Sequence, residues 1–106
     1  MEDSFYTVHI QQDIADLIPG YLANRHKEAT QLSEMLASED FDGIDTLAHR
    51  MVGVGTPYGF AYVTDLAKNI REAARRKDSH LLNSLVEKYE NYLRVVRIVI
   101  KQAKKD

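Results

Sequence analysis

His49 is the residue best placed to do chemistry. It stands in the stretch LAHRMVGVGTPYGF, Leu47 to Phe60, with Gly53 four residues later and Gly55, Pro57 and Gly59 closing the run. A neutral imidazole nitrogen is a good nucleophile near pH 7. Successive residues of a helix turn by about 100°. Ile44, Leu47, Ala48, Met51 and Gly55 then cluster around one direction. His49 lies roughly 140° from it, and Gly53 lies roughly opposite the apolar stripe. Asp42, Asp45 and Thr46 share this outer side. The spacing predicts an imidazole that faces water in mid-helix, with a residue lacking a side chain one turn later. Such a glycine costs about 1 kcal/mol relative to alanine, and nothing on the polar face asks for it structurally. The functional reading is that Gly53 clears an approach to the imidazole. The plain reading is an ordinary surface histidine and a helix that frays early, ahead of GTPYG.

Other candidates carry less. His9, His26 and His80 have no partners at ligand spacing and read as surface or helix-end residues. Asp45 and His49 are spaced to share a metal, but no second pair stands nearby, so no metal site is expected. GVGTPYG reads as a turn, because no strand precedes it and its glycine spacing does not suit a dinucleotide loop. No serine–histidine–acid arrangement and no carboxylate pair stand out. The absence of cysteine excludes disulfides, thiolate nucleophiles and zinc fingers. The net charge of −2, without a basic stripe interleaved with aromatics, points away from nucleic acid. The apolar runs are far short of a membrane span. The beginning, MEDSFYTVHI, has no signal-peptide core, so a cytoplasmic protein is the default expectation.

The 106 residues suffice for one domain, 1–106, and the balance of 44% hydrophobic to 28% charged residues is that of a globular protein. Four helices are expected. In the first, Ile14, Leu17, Ile18, Tyr21, Leu22, Ala29, Leu32 and Leu36 keep helical spacing, and Pro19 either starts or kinks the helix. Asp40 is the expected N-cap of the second helix. That helix ends at GTPYG, where Gly55 and Gly59 tolerate backbone angles that other residues resist. In the third, Val63, Leu66, Ala67, Ile70 and Ala74 form the stripe, and Arg75, Arg76 and Lys77 suit its negative end. Asp78 caps the fourth. There Leu82, Leu85, Tyr89, Tyr92, Val96 and Val99 alternate in steps of three and four, as a bundle seam does. No segment reads as a strand, and the connections are short. The expected fold is all-α: an antiparallel up-down four-helix bundle with a short N-terminal helical element.

LAHRMVG followed by YGF resembles the signature of histidine-containing phosphotransfer (HPt) domains. That signature has an apolar residue and alanine before the histidine, a lysine three positions after it, a glycine at four and a second glycine at ten. His49, Gly53 and Gly59 match it without a gap. The stretch LIPGYLANRHKEATQLSEMLASEDFDGIDTLAHR resembles the first helix and acidic turn of small stand-alone members, and LAKNIREAARRKD resembles their third helix. The resemblance implies a helical bundle that is a phosphocarrier rather than a stand-alone enzyme. Its histidine takes a phosphoryl group from the aspartate of one receiver domain, or from a histidine kinase, and passes it to the aspartate of another. His49 is then the phosphoacceptor. Gly53, Arg50, Val52, Asp45 and Thr46 surround the approach of a response-regulator receiver. No cofactor is implied, since magnesium belongs to the receiver, and a monomer is expected. The chain departs from the signature at Val52, which stands where the lysine is usual. Arg50 projects about 100° away. If the second and third helices are antiparallel, Lys68 and Arg71 return near His49 and are candidates to replace that cation. The valine also fits a second reading, a helical interaction module that docks a receiver or kinase without carrying phosphate.

Overall fold

The computed structural model describes residues 6–102. Four helices make up most of it: α1 (Ile18–Ala37), α2 (Phe41–Gly55), α3 (Ala61–Arg75) and α4 (Ser79–Val95). The expectation of a purely helical chain needs correction. Two strands, β1 (Thr7–Gln11) and β2 (Arg97–Lys101), pair in parallel, from Thr7 opposite Arg97 to Gln11 opposite Lys101. A 3₁₀ turn, Gln12–Leu17, joins β1 to α1 and is what remains of the expected N-terminal helical element.

Local chemistry sets the helix ends. Pro19 lies in the first turn of α1, where its missing N–H is no loss, so it starts the helix and does not kink it. Asp40 accepts the Gly43 N–H at 2.9 Å, and Asp78 accepts the Leu81 N–H at 3.0 Å, which makes both the caps expected of them. Glu39 and Lys77, with φ of 56° and 55°, end α1 and α3 in the left-handed region. Each costs about 1–2 kcal/mol there relative to a right-handed residue. The backbone bonds from Asp40 N to Met35 O (2.8 Å) and from Asp78 N to Ala73 O (3.0 Å) offset this by closing the last turns.

The expected stripes of α2 and α3 are buried in full. In α1, Ile18, Tyr21, Ala29 and Leu32 are buried, but Leu17 stays 53% exposed and is not a core residue. In α4 the seam holds for Leu82, Leu85, Tyr89 and Tyr92 and then stops. Val96 is the cap residue, and Val99 is an exposed residue of β2. The run Val95-Val96-Arg97-Ile98-Val99-Ile100 is almost wholly β-branched, and such side chains favour extended backbone. Its agreement with a heptad was incidental. α1 packs against α2 and α4, and α3 packs against the same two helices. No helix among the described residues is long and apolar enough to cross a membrane.

The connection between α2 and α3 anchors the sheet and sets the helix register. Val8 and Ile10 of β1 are buried, facing Gly59, where a Cβ would lie 3.5 Å from Ile10 Cδ1 and 3.7 Å from Val8 Cγ1. Gly59 has φ of 90°, a conformation that L side chains rarely adopt. Gly55 needs glycine for a different reason from the expected one. Its φ of −84° is ordinary. A Cβ there would run into Thr64 Oγ1 and stand 2.7 Å from Thr64 N and 2.8 Å from Phe60 O. Gly55→Ala should therefore force α2 and α3 apart and lower stability by about 1–3 kcal/mol, measured by urea denaturation. Unchanged stability would show that the two helices do not need this approach.

Candidate functional site

The outer rim of the α2–α3 contact carries the site. The Thr64 hydroxyl is buried there. It accepts the Thr56 N–H at 2.9 Å and the Thr56 hydroxyl at 3.1 Å, and donates to the Val52 carbonyl at 3.3 Å. It thus bridges an N–H and a C=O four residues apart at the end of α2. At the other end of the rim, Arg71 Nε donates to Asp45 Oδ1 at 2.8 Å, and Arg75 Nε reaches Asp45 Oδ2 at 3.5 Å. These two cross-links make α2 and α3 antiparallel and define their register. Asp45, His49, Val52 and Thr56 form one stripe along α2. Thr64, Lys68, Arg71 and Arg75 form its counterpart on α3, by the same steps of four, three and four. The stripes are bonded at both ends, with His49 and Val52 in the middle of one and Lys68 and Arg71 in the middle of the other.

His49 and Gly53 are both exposed, as the spacing predicts. A Cβ on Gly53 would meet no atom within 4 Å, so the space one turn beyond the imidazole is open. Thr46 is also exposed on this face. Val52 is half-buried at the rim. Arg50 is on the other flank, in a groove against α1 lined by Asn24, Lys27, Gln31 and Val54. The structure thus brings Asp45, His49, Val52, Lys68 and Arg71 to one rim and separates Arg50 from them. The two proposed cations differ. Arg71 is held by Asp45, one turn away from His49 toward the start of α2, whereas Lys68 is exposed and makes no ion pair among the described residues. Asp45 is engaged by two guanidiniums, and no group of three metal-ligating side chains occurs among the described residues.

Sequence reasoning missed two features. Thr64 reads as an unremarkable polar residue beside the α3 stripe, and only its bonds to Thr56 and Val52 reveal its part. Leu17 and Val54 were not seen as neighbours. They line a groove with Gly20, Asn24 and Tyr58 between α1 and the end of α2, next to Gly53 in the chain. The signal for it is Leu17, which keeps the helical spacing of the core residues but lies two residues before Pro19, ahead of the helix.

Partial burial would raise the Asp45 carboxyl, but the Arg71 hydrogen bond and the Arg75 charge outweigh it and hold the group below the ordinary carboxylate range. A lowered folded-state pKa means stability that is present above the unfolded value, about 4, and is lost as pH falls through the folded value. Both partners keep about 30% of their side-chain surface, so solvent screening limits the pair to about 1 kcal/mol or less. Asp45→Asn should therefore destabilise at pH 7 and converge on the wild type as pH falls through the lowered folded-state value, followed by melting temperature against pH. A constant difference across that range would show that the pair contributes nothing.

Compared with protein-family models, with curated proteins and with solved structures, the chain has no match.

Proposed function

We propose that the protein is a histidine phosphotransfer carrier in a two-component phosphorelay, with His49 as the phosphoacceptor. The observation that carries this reading is the exposed imidazole in mid-helix, one turn from a glycine that leaves the approach open. Four helices, each packed on two others and joined by connections of three to five residues at 38–40, 56–60 and 76–78, support the finer reading of an up-down antiparallel bundle. The partners are response-regulator receiver domains and a histidine kinase, and the carrier works beside them in the cytoplasm as a monomer.

The chemistry asks little of the carrier. The lone pair of the unprotonated imidazole nitrogen attacks phosphorus. The N–P bond forms as the O–P bond of the donor's aspartyl phosphate breaks, and the electron pair leaves with the aspartate carboxylate. The second ring nitrogen keeps its hydrogen. Reversal onto another receiver restores the free imidazole. Such transfer depends on alignment and charge stabilisation, and the receiver's magnesium supplies most of the latter. A phosphoryl group carries nearly two negative charges near pH 7. Val52 cannot face them, and Arg71 is engaged by Asp45. Lys68 is exposed on the facing helix and makes no ion pair among the described residues, and it takes the role of the usual lysine.

His49→Gln should fold as the wild type does, by circular dichroism, and take up no acid-labile, base-stable label from a radiolabelled phospho-receiver. Full labelling of the folded variant would place the phosphate on another residue and refute the assignment, and absence of label on the wild type would leave a docking module as the reading of this face. At low salt, where surface charge is least screened, Lys68→Ala should slow transfer or shorten the life of the phosphohistidine by roughly twofold to fivefold, the equivalent of about 0.5–1 kcal/mol. Arg76→Ala, beyond the level of the site, is the control and should change neither. Gly53→Gln should slow transfer by obstructing the receiver, while Gly53→Ala keeps or raises helix stability by up to about 1 kcal/mol. Wild-type transfer by Gly53→Gln would make the glycine incidental.

A further inference from the structure

The two-stranded sheet has an open side. β2 is bonded to β1 and to no other strand among the described residues. β1 is well covered, with Val8 and Ile10 buried, but cover fails across β2: Ile98 is half-buried, and Val95, Val99 and Ile100 are each 41% exposed. With Leu17 they are the exposed large hydrophobic residues of the described chain. A parallel two-stranded ribbon is marginal alone, and an apolar edge strand is a ready template for another strand.

Charge indicates what would add to it. Between Asn91 and Gln102 the chain carries Arg94, Arg97 and Lys101 and no acidic residue. Arg94 bonds only to Asn91, and none of the three makes an ion pair among the described residues. Arg97, Val99 and Lys101 alternate on one face of β2; Ile98 and Ile100 occupy the other, opposite Val8 and Ile10 of β1. A second copy of β2 fits poorly. Antiparallel pairing centred on Val99 sets Arg97 against the copy's Lys101, and in-register parallel pairing sets each cation beside its own copy; like charges so placed repel.

We propose that the free edge of β2 is a docking site for an extended acidic peptide segment of a partner protein, which adds to the sheet as a third strand. The pattern it recognises is an acidic residue, three apolar residues and a second acidic residue. The two acids face Arg97 and Lys101, the central apolar residue continues Val99, and the residues either side of it cover Ile98 and Ile100. Main-chain bonds along the edge provide affinity, and the two charges select the strand. This surface is independent of the reading of His49.

The test uses the full chain and a fluorescent heptapeptide with glutamate at positions two and six and isoleucine, valine, isoleucine between them. Saturable binding is expected, weakening as salt rises. A probe with glutamine for both glutamates should bind about fivefold more weakly, from loss of two cross-strand charge pairs. The glutamate probe methylated on alternate backbone nitrogens should not bind, because it cannot bond to the edge. The double variant Arg97→Glu, Lys101→Glu should lose the glutamate probe and gain one with lysines in their place. The methylated probe tests the wild-type chain, so the outcome does not depend on the variant folding. Equal binding of the glutamate and glutamine probes, or undiminished binding of the methylated one, overturns the proposal. So does absence of binding, whether the chain instead sediments as a dimer or adheres only to phosphatidylserine vesicles.

Discussion

The close approach of Gly55 to Thr64 is the constraint on which the rest of the structure depends. With a hydrogen in place of a side chain, α3 comes near enough for the Thr64 hydroxyl to enter the end of α2 and bond three ways. Without those bonds the buried Thr64 hydroxyl would be a polar group kept from water without a partner, at a cost of about 1–3 kcal/mol. The bonds form in only one register of α2 against α3. That register brings Arg71 to Asp45 two turns away. A shift by one residue would break the hydroxyl bridge and turn the rim cations elsewhere.

A second polar cluster ties α1 to α4. The buried Arg25 guanidinium bonds to both carboxylate oxygens of Glu28, at 2.7 and 3.0 Å, and Tyr89 donates its hydroxyl to Glu28 at 3.1 Å. Burial, and then the Glu28 charge, hold the Tyr89 hydroxyl far above its ordinary pKa, so it remains a donor. Arg25 also lies 4.5 Å over the Tyr21 ring, which stacks on Tyr58 and Phe60 of the α2–α3 connection. A buried ion pair repays its desolvation only when its remaining bonds are met. Here the bidentate geometry, the tyrosine and the ring face meet them. The cluster joins the first helix, the last helix and the turn that holds Gly59, and so fixes the core side of α2 while its outer side is left to solvent.

That division of labour suits the proposed carrier. The site residues contribute almost nothing to the core: His49, Gly53, Thr46 and Lys68 are all exposed. Mutation there is open to function without loss of fold. The rigid parts lie behind the rim, in Thr64, Gly55 and the α2 and α3 stripes.

The helices, their caps and the outward face of His49 were legible in the sequence, because helical period and capping are local properties. The apolar steps of α2 and α3, Asp40, Asp78 and the glycine one turn after the histidine each act within a few residues of chain. Three things were decided by tertiary structure alone. The strands were hidden, since Val96 and Val99 continued a heptad by coincidence, and β1 becomes a strand only when β2 arrives from the far end of the sequence to bond it. Gly55 looked like a turn residue, although its reason is Thr64, nine residues further on. The fates of Arg71 and Lys68 look alike in sequence. They are separated by Asp45, which bonds Arg71, whereas Lys68 makes no ion pair among the described residues. Each of these depends on a contact between elements, and no local pattern records which side chain a neighbouring helix will bring.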